Sequence, residues 1–471
     1  MMPPSAPAPD KSARRTPSDD QPVSGLKRVL ANLAHLLGGK AAAGLMSLVY
    51  LVIVARTLGV RDYGVLVLVN GNAVFVGSLV AFSGFHGVVR YGALAIEAGD
   101  PARLARIVRF MALVELGFGV LAMIVAIVAV PFVGPRLGWS ADAMRIAIPY
   151  SLAVFSTVRA TPQGLLQIAR RYDLIGLHQA VSPAVRLVGT LIVVASGGKL
   201  AAFLIVWLIS CLAEGAAMWL LGLVAWRALM AGERLRGAWR GVLREGGGFG
   251  RFTLIANFDI TLQELAPNLA PLTIGWMLGP VAAGLFSLAQ RATNLLQQPA
   301  KLLSQASYAV LAGQVAKRRF DLLRHTVWRS AALAGVIATP IVLALWLAGD
   351  RILPLIGGRS FKGGAVIVTL IAGARLAGLI ASPISAGLTA LGRPQRSMTV
   401  TLFTNLALYP LLPVMILWIG LHGAGLHALL QNVIATGLLM LFFARDARDP
   451  IDAGQEGDTG IPTYAESSPN E

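Results

Sequence analysis

LVYLVIVARTLGVRDYGVLVLVNGNAVFVGSLVAF, residues 48–82, holds two apolar runs separated by one short polar turn around Arg61 and Asp62. Each run approaches the ~20 residues a helix needs to cross ~30 Å of hydrocarbon. Neither shows the alternation or the ~10-residue length of a barrel strand. Lipid offers the backbone no hydrogen-bond partner, so a spanning segment must be a helix or part of a closed barrel. The pattern recurs from about residue 36 to residue 444. The spans are expected at 36–56, 64–84, 107–131, 143–163, 174–195, 200–226, 252–277, 281–303, 327–348, 363–390, 397–419 and 423–444. This predicts an all-α polytopic membrane protein of about 12 transmembrane helices, arranged as two six-helix lobes.

Composition agrees. Of 471 residues, 56% are hydrophobic and only 13% charged, with mean hydropathy +0.68. A soluble chain would carry roughly a quarter charged residues. The net charge of +17 would suggest a nucleic-acid surface in a soluble protein. Here it follows the distribution of Lys and Arg over alternate loops, and no nucleic-acid partner is expected. With the N-terminus inside, basic residues favour the inner segments about three to one. Both termini are therefore expected on the cytoplasmic side. The N-terminal residues lack the apolar core of a cleavable signal peptide. The single cysteine, Cys211, allows no disulfide within the chain.

The expected organisation is a disordered cytoplasmic tail at 1–28, an N-lobe of six helices at 29–226, a basic cytoplasmic linker at 227–251, a C-lobe at 252–445 and a second disordered tail at 446–471. The linker region, GERLRGAWRGVLREGGGFGRF, is rich in Gly and Arg. No strand precedes its glycines and no Gly-Lys-Ser/Thr follows, so it reads as an interfacial connection and not a phosphate loop. The two lobes resemble each other. TLGVRDYGVL (57–66) matches MLGPVAAGLF (277–286) as Leu-Gly-x4-Gly, 220 residues apart. PQGLLQIARRY (162–172) parallels PISAGLTALGRP (383–394), and the basic segments 101–109 and 317–324 correspond. Two parallel repeats of this kind place a substrate path between the halves.

The stretch VARTLGVRDYGVLVLV (54–69) resembles the Ala-Arg-x-Leu-Gly-x3-Tyr-Gly signature of bacterial polysaccharide flippases, within the multidrug/oligosaccharidyl-lipid/polysaccharide exporter superfamily. Arg56, Leu58, Gly59, Tyr63 and Gly64 carry the match. The resemblance implies two bundles around a central cavity in the bacterial inner membrane. It implies a substrate class, saccharide units on undecaprenyl pyrophosphate, moved outward by alternating access for O-antigen, capsule or exopolysaccharide synthesis. Na⁺ or H⁺ as coupling ion and the polysaccharide polymerase and export machinery as partners are also implied. No other cofactor is expected.

A pyrophosphate crossing hydrocarbon needs a cationic lumen. An intramembrane Arg or Lys costs ~2.5–3.5 kcal/mol on the insertion scale, so it faces a cavity or a partner. The candidates for substrate binding are Lys40, Arg159, Arg186, Arg291 and Arg375, with Gln290, Asn294, Gln297, Gln298 and Gln305 as glycan hydrogen-bonders, against bonding to neighbouring helices. Lys40, Arg159 and Arg291 lie near span ends and can snorkel; Arg186 and Arg375 are deeper, with an internal salt bridge as their alternative. The seventh span, with Asn257, Asp259, Gln263, Glu264, Pro267 and Asn268, is the most polar. Asp259 and Glu264 are the candidates for ion coupling, against simple pairing with a facing Arg.

Two other functions compete. A membrane glycan polymerase or ligase needs a large external loop with catalytic side chains. The longest external segment, about 349–362, has one carboxylate, Asp350, and the six histidines show no metal-binding spacing. A multidrug or small-molecule exporter shares the same helical plan, but a cationic lumen repels organic cations.

Overall fold

The computed structural model describes residues 22–230, 232–243, 248–294, 311, 313–315 and 317–447, with side chains from Ala42 on except at 341, 349 and 350. Most of both expected tails, and Gln297, Gln298 and Gln305, lie outside the described residues. No strand occurs among the described residues.

Helix α1 (Pro22–Val80) begins ahead of the expected tail boundary at 28 and breaks at Gly59, whose φ of 73° and ψ of 175° are non-helical. It thus supplies two passages joined at the quoted turn. Then come α2 (Phe85–Glu97), α3 (Pro101–Val133), α4 (Ala141–Tyr150), α5 (Ala160–Ile168), α6 (Tyr172–Ala195) and α7 (Leu200–Leu229). The second half contains α8 (Phe249–Leu278), α9 (Pro280–Asn294), α10 (Phe320–Leu347), α11 (Gly349–Gly357), α12 (Ala365–Ala390), α13 (Pro394–Ala407), α14 (Leu411–Ile419) and α15 (Leu421–Asp446).

Seven helices among the described residues are long and apolar enough to cross a membrane, with α13 and α14 as a bent pair that makes up to eight. This differs from the expected twelve for physical reasons. The two arms of α1, on either side of the break at Gly59, count together as one helix. The stretch expected at 143–163 is broken into α4, a 3₁₀ turn (Ser151–Thr157) and α5, with Pro149 inside α4. Helix α8 has the length, but its Asn, Gln, Asp and Glu residues lower its hydropathy. A second difference concerns 101–109. The short amphipathic helix after the second span is α2, whereas 101–109 forms the first turns of α3, capped by the Asp100 side chain on the Arg103 amide at 2.8 Å.

The internal repeat is written into the backbone. Gly279 adopts φ 82° and ψ 179°, matching Gly59. Left-handed residues recur in the same order in both halves, at Gly99 and Arg318, Gly138 and Gly358, Arg170 and Gly392, and Gly197 and Gly420. At Gly99, Arg318, Arg170 and Gly392 the carbonyls left free at the helix end are closed by the same pair of amide bonds, as in Asp100 N to Ala95 O and Arg393 N to Leu388 O.

The halves meet where the repeats meet. A Cβ on Gly64 would lie 1.8 Å from the Pro280 carbonyl oxygen, and one on Gly284 would lie 2.5 Å from the Val60 oxygen. These two equivalent glycines therefore touch across the pseudo-two-fold axis, which only residues without a side chain permit. At this same end Arg56 donates to the Leu355 carbonyl, Tyr63 packs edge-on against Phe361 at 5.9 Å, and Gly59 faces Ser360. Apart from α8 and α9, substantial contact between the halves is confined to this end, through α1, α11 and the 3₁₀ turn Arg359–Phe361. The hydrophobic core reflects the same layout, with one large cluster around the seam and smaller ones at the distant end of each half.

Candidate functional site

The seam below the glycine contact gathers cations. Arg186 on α6 donates from Nε to Ser210 Oγ at 2.8 Å, lies 3.8 Å from Cys211 Sγ and sits 5.1 Å over the Trp207 ring. Arg291 on α9 reaches the Tyr50 hydroxyl at 3.5 Å from the other half. Tyr50 faces both guanidiniums and packs edge-on against Trp207 at 5.8 Å. Tyr150 donates to Asn70 Oδ1 at 2.9 Å, and Cys211 lies 3.9 Å from the same oxygen. No salt bridge among the described residues involves Arg186 or Arg291. Two guanidiniums from opposite lobes thus share one neutral hydroxyl without a carboxylate. Partly buried uncompensated charge is costly, and an anionic ligand with paired oxygens is suited to relieve it.

A polar chamber adjoins this seam inside the C-terminal half. Its volume is about 330 Å³, and its wall sets Gln290, Arg375, Asn405, Tyr409, Gln431 and Asn432 among a larger number of apolar side chains such as Phe286, Ile371 and Leu412. Gln431 donates to Asn405 Oδ1 at 2.8 Å, Asn432 to the Ala428 carbonyl at 2.9 Å, and a His427 ring nitrogen lies 2.9 Å from the Leu408 carbonyl. Arg375 Nε is buried and has no hydrogen-bond partner among the described residues. Gln290 and Arg291 are adjacent on α9, so one faces the chamber and the other the seam. Such alternation of amide, hydroxyl and guanidinium groups suits a hydroxyl-rich ligand.

The remaining candidates separate from this pair of sites. Arg159 forms an ion pair with Glu214 inside the N-terminal half, and a His178 ring nitrogen approaches the Glu214 carbonyl at 3.0 Å. Its neighbour Glu115, fully buried, accepts from the Ala160 and Thr161 amides, capping the start of α5. Asn294 is exposed at the end of α9, and the Lys40 side chain lies outside the described residues.

Asp259 accepts from Gln263 at 2.8 Å and Glu264 from Asn268 at 3.2 Å, each one turn along α8. The same helix bonds the N-terminal half through Ser83 N to Asn257 Oδ1 at 2.7 Å and Asn268 to Ser78 Oγ at 3.4 Å. Among the described residues neither acid forms an ion pair with an arginine. Among the described residues no group of three or more His, Cys, Asp or Glu side chains is placed to hold a metal ion.

Tyr50, Asn70 and Trp207 escaped sequence reasoning, because an aromatic or a single amide within an apolar span reads as packing. The one available signal was their placement on helices that also carry Arg or a repeat glycine.

Comparison with known proteins follows from this geometry. Among solved structures, the lipid II flippase MurJ in an inward closed conformation matches with a TM-score of 0.66 at 12% identity, over 88% of this chain and 90% of that one. An inward-facing multidrug resistance MATE family transporter of the MOP superfamily gives 0.62 at 16%, over 88% and 94%. At such identities these likenesses establish the fold. Inner membrane protein YghQ of Escherichia coli (strain K12) is 26% identical over 350 residues, covering 71% of this chain and 94% of the relative. Residues 53–365 match the model of a family described as polysaccharide biosynthesis protein, and the chain, a polytopic helical membrane protein with the fold of those two transporters, belongs to that family.

Proposed function

We propose that this protein is a flippase that moves undecaprenyl-pyrophosphate-linked saccharide units from the cytoplasmic to the outer face of the bacterial inner membrane, with both termini cytoplasmic. The observation that carries the reading is the pair Arg186 and Arg291, two guanidiniums from opposite lobes converging on Tyr50 with no carboxylate between them. They receive the pyrophosphate. The chamber around Gln290, Arg375, Asn405 and Gln431 receives the sugars. Family membership and the likeness to YghQ support the substrate class and the membrane.

A phosphate bound by both arginines couples the two lobes at one point. The lobes, closed at the Gly64–Gly284 end, then rock about that contact to expose the site to the other side. Arg186→Ala and Arg291→Ala each remove a charge-assisted hydrogen bond of about 1.5–3 kcal/mol. Export of the lipid-linked saccharide in cells falls at least about tenfold, with folded protein still in the membrane by solubilised yield and melting temperature. Wild-type export by both variants would overturn the assignment.

Ion coupling through α8 is a further part of the proposal. Asp259, bonded only along its own helix in this conformation, is free to take a cation as the lobes rock. Asp259→Asn then transports without dependence on the Na⁺ or H⁺ gradient; unchanged ion dependence would remove Asp259 from that role.

A further inference from the structure

A second amphipathic site lies in the N-terminal half, away from the seam and the polar chamber. A groove of about 380 Å³ runs between α3 and α7, floored by Pro162 and Leu165 of α5. Its α3 wall includes Leu113 and Leu116, both exposed on the outer surface of the bundle. Helix α5 packs on both α3 and α7 and keeps them apart, so the crevice is a built feature of the fold.

The linker crosses one end of this groove as a strap. Arg109 of α3 holds it there, donating to Glu233 Oε2 at 3.0 Å, to the Ala238 carbonyl at 3.2 Å and to the Arg234 carbonyl. The same guanidinium lies 5.4 Å over Trp226. Gly237 rests on it so closely that a Cβ would fall 2.9 Å from the Arg109 Cζ.

Beside the groove, a polar depression of about 350 Å³ is bordered by Arg106, Arg109, Arg234 and Arg236, with Glu233 as its one carboxylate among the described residues. Arg109, Arg236 and Gly237 border both hollows, so the two adjoin at the strap. Glu233 is already engaged by Arg109, and Arg234 and Arg236 are exposed. Trp226 and Trp239 line the groove at the strap, where an aromatic belt meets headgroups.

An apolar trough open to the bilayer, adjoining the exposed guanidiniums of Arg234 and Arg236 at its interfacial end, has the polarity of a phospholipid. The geometry points to a binding site for one anionic glycerophospholipid, its acyl chain between α3 and α7 and its phosphate at Arg234 and Arg236. The surplus positive charge selects a headgroup with net negative charge over a zwitterionic one, as basic clusters at an anionic leaflet do. The leaflet is the one the charge pattern assigns to the cytoplasm. A bound lipid fastens the linker to the N-terminal half, and this does not depend on which saccharide is carried.

The test is native mass spectrometry of the full chain in detergent, titrated with phosphatidylglycerol and with phosphatidylethanolamine of identical acyl chains. Inorganic phosphate serves as competitor. Phosphatidylglycerol binds at least about tenfold tighter than phosphatidylethanolamine. The Arg234→Ala/Arg236→Ala variant loses that preference while keeping its melting temperature, since both side chains are exposed. Leu116→Trp, which fills the trough, weakens both lipids. Equal binding of the two lipids, or an unchanged preference in the double variant, would overturn the proposal. So would displacement of phosphatidylglycerol by millimolar phosphate alone, which marks a site for a free anion.

Discussion

At the scale of single residues, charge placement decides what each arginine does. Arg159 and Glu214 neutralise one another, so Arg159 serves the N-terminal half alone. Arg186 and Arg291 share Tyr50 and form no ion pair among the described residues, which is why the proposal gives them the phosphate. Arg375 has even less support, with a buried and unpartnered Nε beside the sugar-sized chamber. A charge kept within hydrocarbon costs ~2.5–3.5 kcal/mol on the insertion scale. Arg375→Met keeps the length and removes the charge. It is expected to melt no lower than the parent, and by up to ~3 kcal/mol more stable, while transport falls at least about tenfold. A large loss of stability would instead make Arg375 a structural residue. That these arginines needed a partner or a cavity was legible in the sequence, since charge inside an apolar span is costly. Which of them have partners was not. Arg159 and Glu214 are 55 positions apart, and Tyr50 and Arg291 are 241 apart; only packing brings them together.

At the scale of elements, the turns carried more information than the spans. The Leu-Gly-x4-Gly pair at 58–64 and 278–284 was readable because glycine alone accepts the left-handed break at Gly59 and Gly279. The parallel between 162–172 and 383–394 proved to be a shared helix ending, with Arg170 standing where the other half has Gly392. Arg318 stands likewise opposite Gly99. A non-glycine residue there costs about 1 kcal/mol, because its Cβ crowds the neighbouring carbonyl. Arg318→Gly should therefore stabilise the protein by about 1 kcal/mol in reversible unfolding. A loss of stability would show that the Arg318 side chain contributes more than its backbone costs. Span continuity was less legible. Breaks at Pro149, at the 3₁₀ turn and between α13 and α14 depend on how neighbouring helices satisfy freed backbone groups, and hydropathy does not register that.

At the scale of the whole molecule, the pseudo-two-fold axis is both the joint and the seal. Gly64 and Gly284 touch at the end where Arg56, Tyr63 and Phe361 also close the two halves. Helices α8 and α9 link the lobes elsewhere, and α8 carries Asp259 and Glu264 along that link. Gly64→Ala places a Cβ 1.8 Å from a backbone oxygen, where no side chain can move aside. Overpacking of this kind costs about 1–3 kcal/mol. The closed state is then disfavoured by roughly tenfold to a hundredfold, which lowers transport and raises labelling of a cysteine placed at Ala283, buried beside Gly284. Unchanged labelling and transport would mean that this contact is not the closed gate.

The central claim is that a lipid-linked saccharide crosses the membrane through this protein. The most direct measurement deletes it from its native host and assays surface polysaccharide together with the sidedness of the lipid-linked saccharide pool in the inner membrane. The account predicts loss of the surface glycan with intact carrier-linked units accumulating on the cytoplasmic face, reversed by the wild-type chain and not by the Arg186→Ala/Arg291→Ala variant. Accumulation on the outer face, or no change in either pool, would contradict it.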